Sequence, residues 1–449
     1  YEFESAPVDD NDRLSRYLDL KDPIPEMQAS PPRIPASVTA LNNVPYVFNG
    51  AWHFADQDHR ALYDAPNKVL LPRAGIALRV NNQTALRIGY ARYLVPLASV
   101  FGYAWRIPST GGFNARTDVA PLLEGIPQAR LSDPFPSTNP LILPKGKAFG
   151  RYTNLGDNAR WPQQDLKAPL NDRFNFSIER ELPAQIRFDF TYFVNLGRNF
   201  PPEGQGGNDG FGRRLNMSDP RLSYTHKAAL SQRVANPFLN YLTPEKFPGQ
   251  LRNQPTVTVG SLLKPYPHYG ELAEGFMEGV SNRYQALQFR AQRRSARGYT
   301  FVWGYNYNRE LTDAFFSSDD EYANNLTMIP SASPRHRMSF GGTYEVPVGR
   351  GRKFASKAHP LAEAVFGGWA LSTIYLWNGG QFLRFGQLDT DGSNPRLDNP
   401  TRDRYFDTSK FAQATPFTPR TNPWQYPGVT GPGYWNWDAT ISKHFPLTE

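Results

Sequence analysis

The sequence predicts an all-β fold: part of an antiparallel transmembrane β-barrel with long extracellular loops and mostly short periplasmic turns. Three observations predict it. Aromatic and polar residues alternate with a period of two in segment after segment. The links between these segments are alternately short and long. Aromatic residues make up 14% of the chain, with 23 Tyr, 30 Phe and 9 Trp beside 36 Gly and 41 Pro, a mixture that favours many strands joined by turns.

Composition removes the main alternatives. Only 39% of the 449 residues are hydrophobic and mean hydropathy is −0.56. The longest apolar patch, Trp369 to Trp377, is interrupted by Ser372 and Thr373, far from the roughly 18 consecutive apolar residues of a membrane-spanning helix. Disorder is poor in aromatic residues, and this chain is rich in them. The absence of cysteine excludes disulfide-stapled folds, thiolate catalysis and cysteine-based zinc or iron–sulfur sites. A net charge of +8 from 49 basic and 41 acidic residues is spread thinly. The densest cluster, Arg290, Arg293, Arg294 and Arg297, reads as a solvated turn, not as the focused patch that nucleic-acid binding needs.

Strands are expected near 71–80, 84–94, 173–180, 184–196, 282–292, 298–308, 336–347, 367–378 and 434–445. The clearest is Tyr299-Thr-Phe301-Val-Trp303-Gly-Tyr305-Asn-Tyr307-Asn, whose five aromatic side chains share one face. Before it, Phe174, Phe176 and Ile178 alternate with Asn175, Ser177 and Glu179. Ile186, Phe188, Phe190, Tyr192 and Val194 alternate with Arg187, Asp189 and Thr191. After it, Met338, Phe340, Tyr344 and Val346 alternate with Arg337, Ser339, Thr343 and Glu345; Trp435, Trp437, Ala439 and Ile441 alternate with Asn436, Asp438, Thr440 and Ser442. Segments of ~10 residues with one apolar and one polar side are the signature of strands between lipid and a wet interior.

The links separate barrel from sandwich. Asn81-Asn82-Gln83, Glu181-Leu182-Pro183 and Arg293 to Arg297 are tight turns, whereas 95–172, 197–281, 309–335 and 379–433 are long and rich in Pro, Gly, Asn and Asp. A β-sandwich shows turn signals every 8–12 residues or so, and barrels of the outer membrane show this asymmetry. The link 348–366 departs from it, being extended on the short side. Nine strands leave open edges, which a bilayer does not tolerate. The chain is therefore expected to be one portion of a barrel, with Tyr1 and Phe3 ending an earlier strand and Phe445 to Glu449 forming a turn.

Several phrases, in order, carry a resemblance to a known family. They are Tyr63-Asp-Ala-Pro-Asn-Lys68, Leu71-Pro-Arg-Ala-Gly-Ile-Ala77, Thr84-Ala-Leu-Arg-Ile-Gly-Tyr90, Phe174-Asn-Phe-Ser-Ile-Glu-Arg-Glu-Leu-Pro183 and Asp219-Pro-Arg-Leu-Ser223. Then follow Leu262-Leu-Lys-Pro-Tyr-Pro-His-Tyr-Gly270, Arg283-Tyr-Gln-Ala-Leu-Gln288, Tyr344-Glu-Val-Pro-Val-Gly-Arg-Gly-Arg-Lys353, Gly367-Gly-Trp-Ala-Leu-Ser372 and Gly431-Pro-Gly-Tyr-Trp-Asn-Trp-Asp438. The chain resembles the C-terminal half of the barrel of an Oar-like TonB-dependent receptor. The resemblance implies a barrel of about 22 strands with a plugged lumen. It also implies a plug and a TonB-engaging region N-terminal to this chain, outer-membrane lipid and lipopolysaccharide as surroundings, and localisation in the bacterial outer membrane.

Catalytic chemistry is not legible. His53, Asp56, Asp58 and His59 bring two imidazoles and two carboxylates together, but in a loop without a fixed frame they read as solvated residues. Asp389, Asp391 and Asn394 place oxygen ligands as at the start of a calcium loop, yet the acidic residue that closes an EF-hand is replaced by Pro400. An Asx-rich turn is the plainer reading. Ser317 to Glu321 reads as a hydrated acidic loop tip, and Gly204 to Gly212 as a flexible glycine-rich loop. No cofactor and no enzymatic activity are expected. The expected function is energised passage of an unidentified ligand through a plugged barrel. The lumen-facing candidates are Arg187, Asp189, Arg290, Arg337, Glu345 and Asp438. Two alternatives stand beside it: a structural or surface-interaction barrel without active transport, and a secreted soluble β-rich glycan-binding protein.

Overall fold

The computed structural model describes residues 5–41, 46–66, 68–96, 111–115, 117, 132–137, 139–200, 212–275, 279–294 and 298–445. The expectations placed on Tyr1, Phe3, Arg297, Gly204 to Gly210 and the turn 446–449 lie outside the described residues.

Nine long strands form one antiparallel sheet in which every strand pairs with its neighbours in sequence: β1 Arg73–Asn81, β2 Thr84–Leu94, β3 Leu170–Leu182, β4 Ile186–Phe200, β5 Val280–Arg293, β6 Tyr299–Phe315, β7 His336–Glu345, β8 Trp369–Asn378 and β9 Tyr434–Lys443. Strand β6 overruns the wall and pairs its last residues, Leu311 to Phe315, with Leu326–Pro330. Among the described residues the outer strands β1 and β9 each pair on one side only, so the sheet is open. Among the described residues no helix is long and apolar enough to cross a membrane.

Each of the nine segments read from the alternation overlaps one of these strands, and the ends differ for local reasons. The segment beginning at 184 starts at Ile186, because Ala184 and Gln185 adopt positive φ in the turn. The segment ending at 347 stops at Glu345, two residues before Pro347, which cannot donate to a ladder. The segment beginning at 367 starts at Trp369, after Gly368 with φ +73°. The tight turn after β1 is held by the Asn81 carboxamide oxygen, which accepts the Gln83 amide at 2.9 Å. The extended link after β7 contains a short helix, Pro360–Phe366, whose N-terminal cap is the His359 ring.

The long links are not structureless. Residues preceding β1 and those in the two links on either side of β3 and β4 build a packed lobe. Ser15–Pro23 pairs with Asn49–Phe54. Leu272–Gly275 pairs with Ala159–Pro162 and with Gly212–Arg214, and Arg233–Ala235 with Thr256–Thr258. Their shared core includes Ile24, Met27, Trp52, Trp161, Phe238, Phe247, Leu262 and Leu272. The link between β8 and β9 holds a smaller core of Phe385, Tyr426 and Val429.

Candidate functional site

Register assigns each wall residue to a face. Across β3, β4 and β5, Glu179 stands opposite Asp189, which stands opposite Arg290, and Glu181 opposite Arg187, which stands opposite Gln292. Following the pairs onward, Gly304 stands opposite Ser339, Asn306 opposite Arg337 and Ile374 opposite Asp438. Glu345 pairs with Ala370 on the same side. All six lumen-facing candidates, Arg187, Asp189, Arg290, Arg337, Glu345 and Asp438, therefore lie on one face of the sheet.

That face carries an ion cluster and a series of separate polar pairs. The Arg187 guanidinium reaches Glu179 at 2.7 Å and Asp189 at 3.1 Å, and Arg87 reaches the other Glu179 oxygen at 2.9 Å. Arg290 donates to the Gln292 carboxamide at 3.0 Å. Hydroxyl pairs bridge adjacent strands, Ser177 with Thr191 and Thr343 with Ser372, each at 3.0 Å. Asn436 donates to Asp438 at 2.6 Å, and Glu345 pairs with Arg352 of the following link at 2.8 Å. Arg337 is exposed. Arg87 and Glu179 were not among the sequence candidates, although Glu179 stands at a polar alternate position; Arg87 sits in an otherwise apolar phrase that hid it.

A groove of about 770 Å³ opens on this face, lined by Arg294, Thr300, Thr343, Ser372, Asp438 and Thr440 together with Val302 and Ile374. The apolar members were not foreseen. They make the groove amphipathic, suited to contact with a folded segment or an organic ligand.

The opposite face is aromatic. Ring centroids lie 4.8 Å apart for Tyr90 and Phe174, 5.2 Å for Phe190 and Phe289, and 6.2 Å for Phe289 and Tyr305 and for Phe301 and Phe340. The row Tyr299 to Tyr307 is not packed inside a sandwich: Tyr299 and Tyr307 are exposed, and Ile441 on β9 is 70% exposed.

The loop candidates separate. His53 lies in a strand and stacks on Tyr17 at 4.6 Å, while His59 sits 3.4 Å from Asp56. Asp391 accepts from the Ser393 hydroxyl at 2.6 Å and amide at 2.9 Å and from Lys410 at 3.1 Å, contacts that hold its pKa down at about 2. Asp389 accepts the Thr415 amide at 3.0 Å, and Asn394 the Arg396 amide at 3.1 Å. Their oxygens are thus engaged in separate turns. Among the described residues no three His, Asp or Glu side chains are grouped to hold a metal. The acidic tip is a correction: Ser317 caps a short helix, Ser318–Ala323, and Glu321 is buried against Arg214, whose Nε donates to it at 2.8 Å. Tyr224 also donates to Asp319 at 3.0 Å, so this tip is docked, not simply hydrated.

A family model described as "Outer membrane beta barrel domain" matches residues 1–449. No curated protein matches the chain. Among solved structures, the pyoverdine outer membrane receptor FpvA from Pseudomonas aeruginosa aligns with 8% identity and a TM-score of 0.34, over 87% of this chain and 31% of that one. The outer membrane transporter YddB from Escherichia coli aligns with 9% identity and a TM-score of 0.34, over 81% and 32%. The alcaligin outer membrane receptor FauA from Bordetella pertussis aligns with 7% identity and a TM-score of 0.29, over 74% and 31%. The chain spans about a third of the length of these structures.

Proposed function

The chain belongs to the outer membrane beta barrel domain family, a protein of the bacterial outer membrane, and from that premise we propose that it is wall and outer lobe of a TonB-dependent receptor that takes a ligand through a plugged barrel. The observation that carries this reading is the two-faced sheet. Arg87, Glu179, Arg187 and Asp189 are joined in one ion network on one side, and the other side is a continuous aromatic surface. Surface ion pairs contribute only about 0–1 kcal/mol each in water, but charges taken out of water cost several kcal/mol each, even when paired. The network therefore belongs to an aqueous lumen and the aromatic rows to lipid. Arg187, Asp189, Arg290, Arg337, Glu345 and Asp438 then contact the plug or the ligand, and the amphipathic groove beside Asp438 is where a plug segment packs.

The chain itself contributes no cysteine, so single cysteines placed in it report facing once any cysteine elsewhere in the full-length protein has been replaced. In the full-length protein in outer membranes, Phe188→Cys is expected to react with a lipid-phase reagent, and Arg187→Cys with a water-soluble one. The reverse pattern would overturn the reading. Ligand uptake that persists after a protonophore collapses the inner-membrane gradient would remove energised transport while leaving the barrel. Absence of any ligand uptake by the folded protein would favour the second reading, a structural or surface-interaction barrel without active transport, which the buried core of the loop lobe supports.

A further inference from the structure

Three of the long links meet around a cavity of about 650 Å³, which shares no lining residue with the groove of the polar face. The link after β4 supplies Arg214 and Tyr224, and the link after β6 supplies Phe316 and the start of the helix Ser318–Ala323. The link after β8 supplies Arg384, Arg420 and Trp424. Two of these arginines lie against one indole: the central guanidinium carbons of Arg384 and Arg420 are 5.6 Å and 5.0 Å from the Trp424 ring centroid. Arg420 also lies 4.6 Å from the Phe316 ring. It is half-buried and donates to carbonyl oxygens, those of Phe316 and Asn422 each at 3.2 Å and those of Phe385 and Pro423. These bonds hold the side chain in place without neutralising it, and burial works against its charge. Arg384 is exposed and, among the described residues, touches the Trp424 ring without a hydrogen-bond or ion-pair partner.

The carboxylates around the cavity are already engaged. Glu321 accepts from Arg214 and Asp319 from Tyr224. Asp320 accepts from the Ser317 hydroxyl at 2.6 Å and from Asn325 at 3.1 Å. Donors are left over: the Arg384 fork, and the Trp424 Nε1–H, which is buried with no acceptor among the described residues. A buried donor without an acceptor costs free energy, and two guanidinium groups on one ring repel each other unless an anion lies beside them. The cavity therefore lacks an acceptor that carries negative charge. A guanidinium presents its donors in one plane, which matches the two oxygens of a carboxylate. The volume is that of a site for an organic molecule, not for a bare ion, and the Phe316 ring offers an apolar wall to the remainder of it.

We infer that this cavity binds a small organic carboxylate, whose oxygens accept from Arg384 and from the Trp424 indole N–H while Arg420 supplies a fixed counter-charge. The inference goes beyond the transport reading and holds whether or not the ligand crosses the barrel.

The test is fluorine NMR of the full-length protein in detergent, labelled with fluorotryptophan, the Trp424 resonance being the one that disappears in Trp424→Phe. The probe is naphthoate, compared with its neutral counterpart naphthamide and with inorganic phosphate. Naphthoate is expected to shift the Trp424 resonance saturably and to bind about tenfold or more tightly than naphthamide, the contribution of a charge-assisted contact. Arg384→Gln is expected to bring naphthoate down to the level of naphthamide, while Lys353→Gln, in the link after β7, keeps wild-type binding. Folding of each variant is checked by its heat-modifiable gel mobility; if Arg384→Gln does not fold, the ratio of naphthoate to naphthamide affinity in wild type decides. No saturable shift, equal binding of the two naphthalenes, or unchanged binding by folded Arg384→Gln would overturn the site. Phosphate binding as tightly as naphthoate would overturn the assignment to a carboxylate.

Discussion

The wall and the loop lobe both rely on aromatic residues and use them in opposite ways. In the wall, Ile88 is 54% exposed and Tyr344 is 46% exposed, on strands laddered to a neighbour on each side. In the lobe, Phe238, Phe247 and Leu272 are fully buried. Water drives the lobe together, since burial of each such side chain stabilises by about 1.5–3 kcal/mol. The wall lacks a core of its own and depends on lipid to cover its apolar face. The two regions are therefore stabilised by different solvents, and substitutions should respond differently in each.

The largest expected effect is in the lobe. Phe238→Ala removes a ring that stacks on Phe247 at 6.0 Å and meets Phe48 edge-on at 6.5 Å. A loss of about 3–5 kcal/mol of lobe stability is expected, seen as protease cleavage within 215–275 while the wall keeps its heat-modifiable gel mobility. Loss of both together would erase the distinction drawn here. Next comes a paired test in the wall. Phe190→Arg, in mid-strand on the aromatic face, is expected to destabilise the barrel by about 2–4 kcal/mol, and Thr191→Arg on the polar face by far less. The measurement is denaturant unfolding of each variant in phospholipid bilayers. Equal costs would mean that the two faces do not have different solvents.

The same contrast explains what the sequence made legible. In the wall, side-chain period and strand geometry coincide, so the Tyr299 to Tyr307 row and the Arg187–Asp189 alternation pointed directly to strands and faces. The strand ends were less visible because they depend on Ala184 and Gln185 at positive φ, or on Gly368. The lobe has no period. Its core joins Met27, Trp161 and Phe247, residues far apart in sequence whose neighbourhoods read only as Pro- and Asn-rich loop. The pairing of Glu321 with Arg214 was equally hidden, since an acidic run such as Ser317 to Glu321 looks like a solvated surface until its partner is known. Motif phrases helped unevenly. Leu262 to Gly270 contributed to the family resemblance, yet its role as a packed corner around His268 has no sequence signature.

That corner gives a third, smaller effect, one confined to the lobe. His268 is fully buried, donates from Nε2 to the Asn49 carbonyl at 2.8 Å, and leaves Nδ1 without a partner among the described residues. Phe48, Tyr266 and Tyr269 surround it, and none of them carries a carboxylate to stabilise an imidazolium. Burial therefore lowers its pKa from 6.5 to about 4. Between these values the unfolded lobe binds a proton that the folded lobe does not. Stability is therefore fully present above pH 6.5 and is lost as pH falls toward 4. The loss amounts to about 2 kcal/mol at pH 5. His268→Gln can keep a donor to Asn49 but does not titrate, so it should remove this part of the slope while the wall's unfolding is unchanged in both proteins. The reading is protease resistance of the lobe between pH 7 and 5. A variant that loses resistance as steeply as wild type would assign the acid sensitivity elsewhere. Asp157, whose carboxyl is pushed up by burial, is not that source, because a raised carboxyl pKa makes the fold more stable as pH falls.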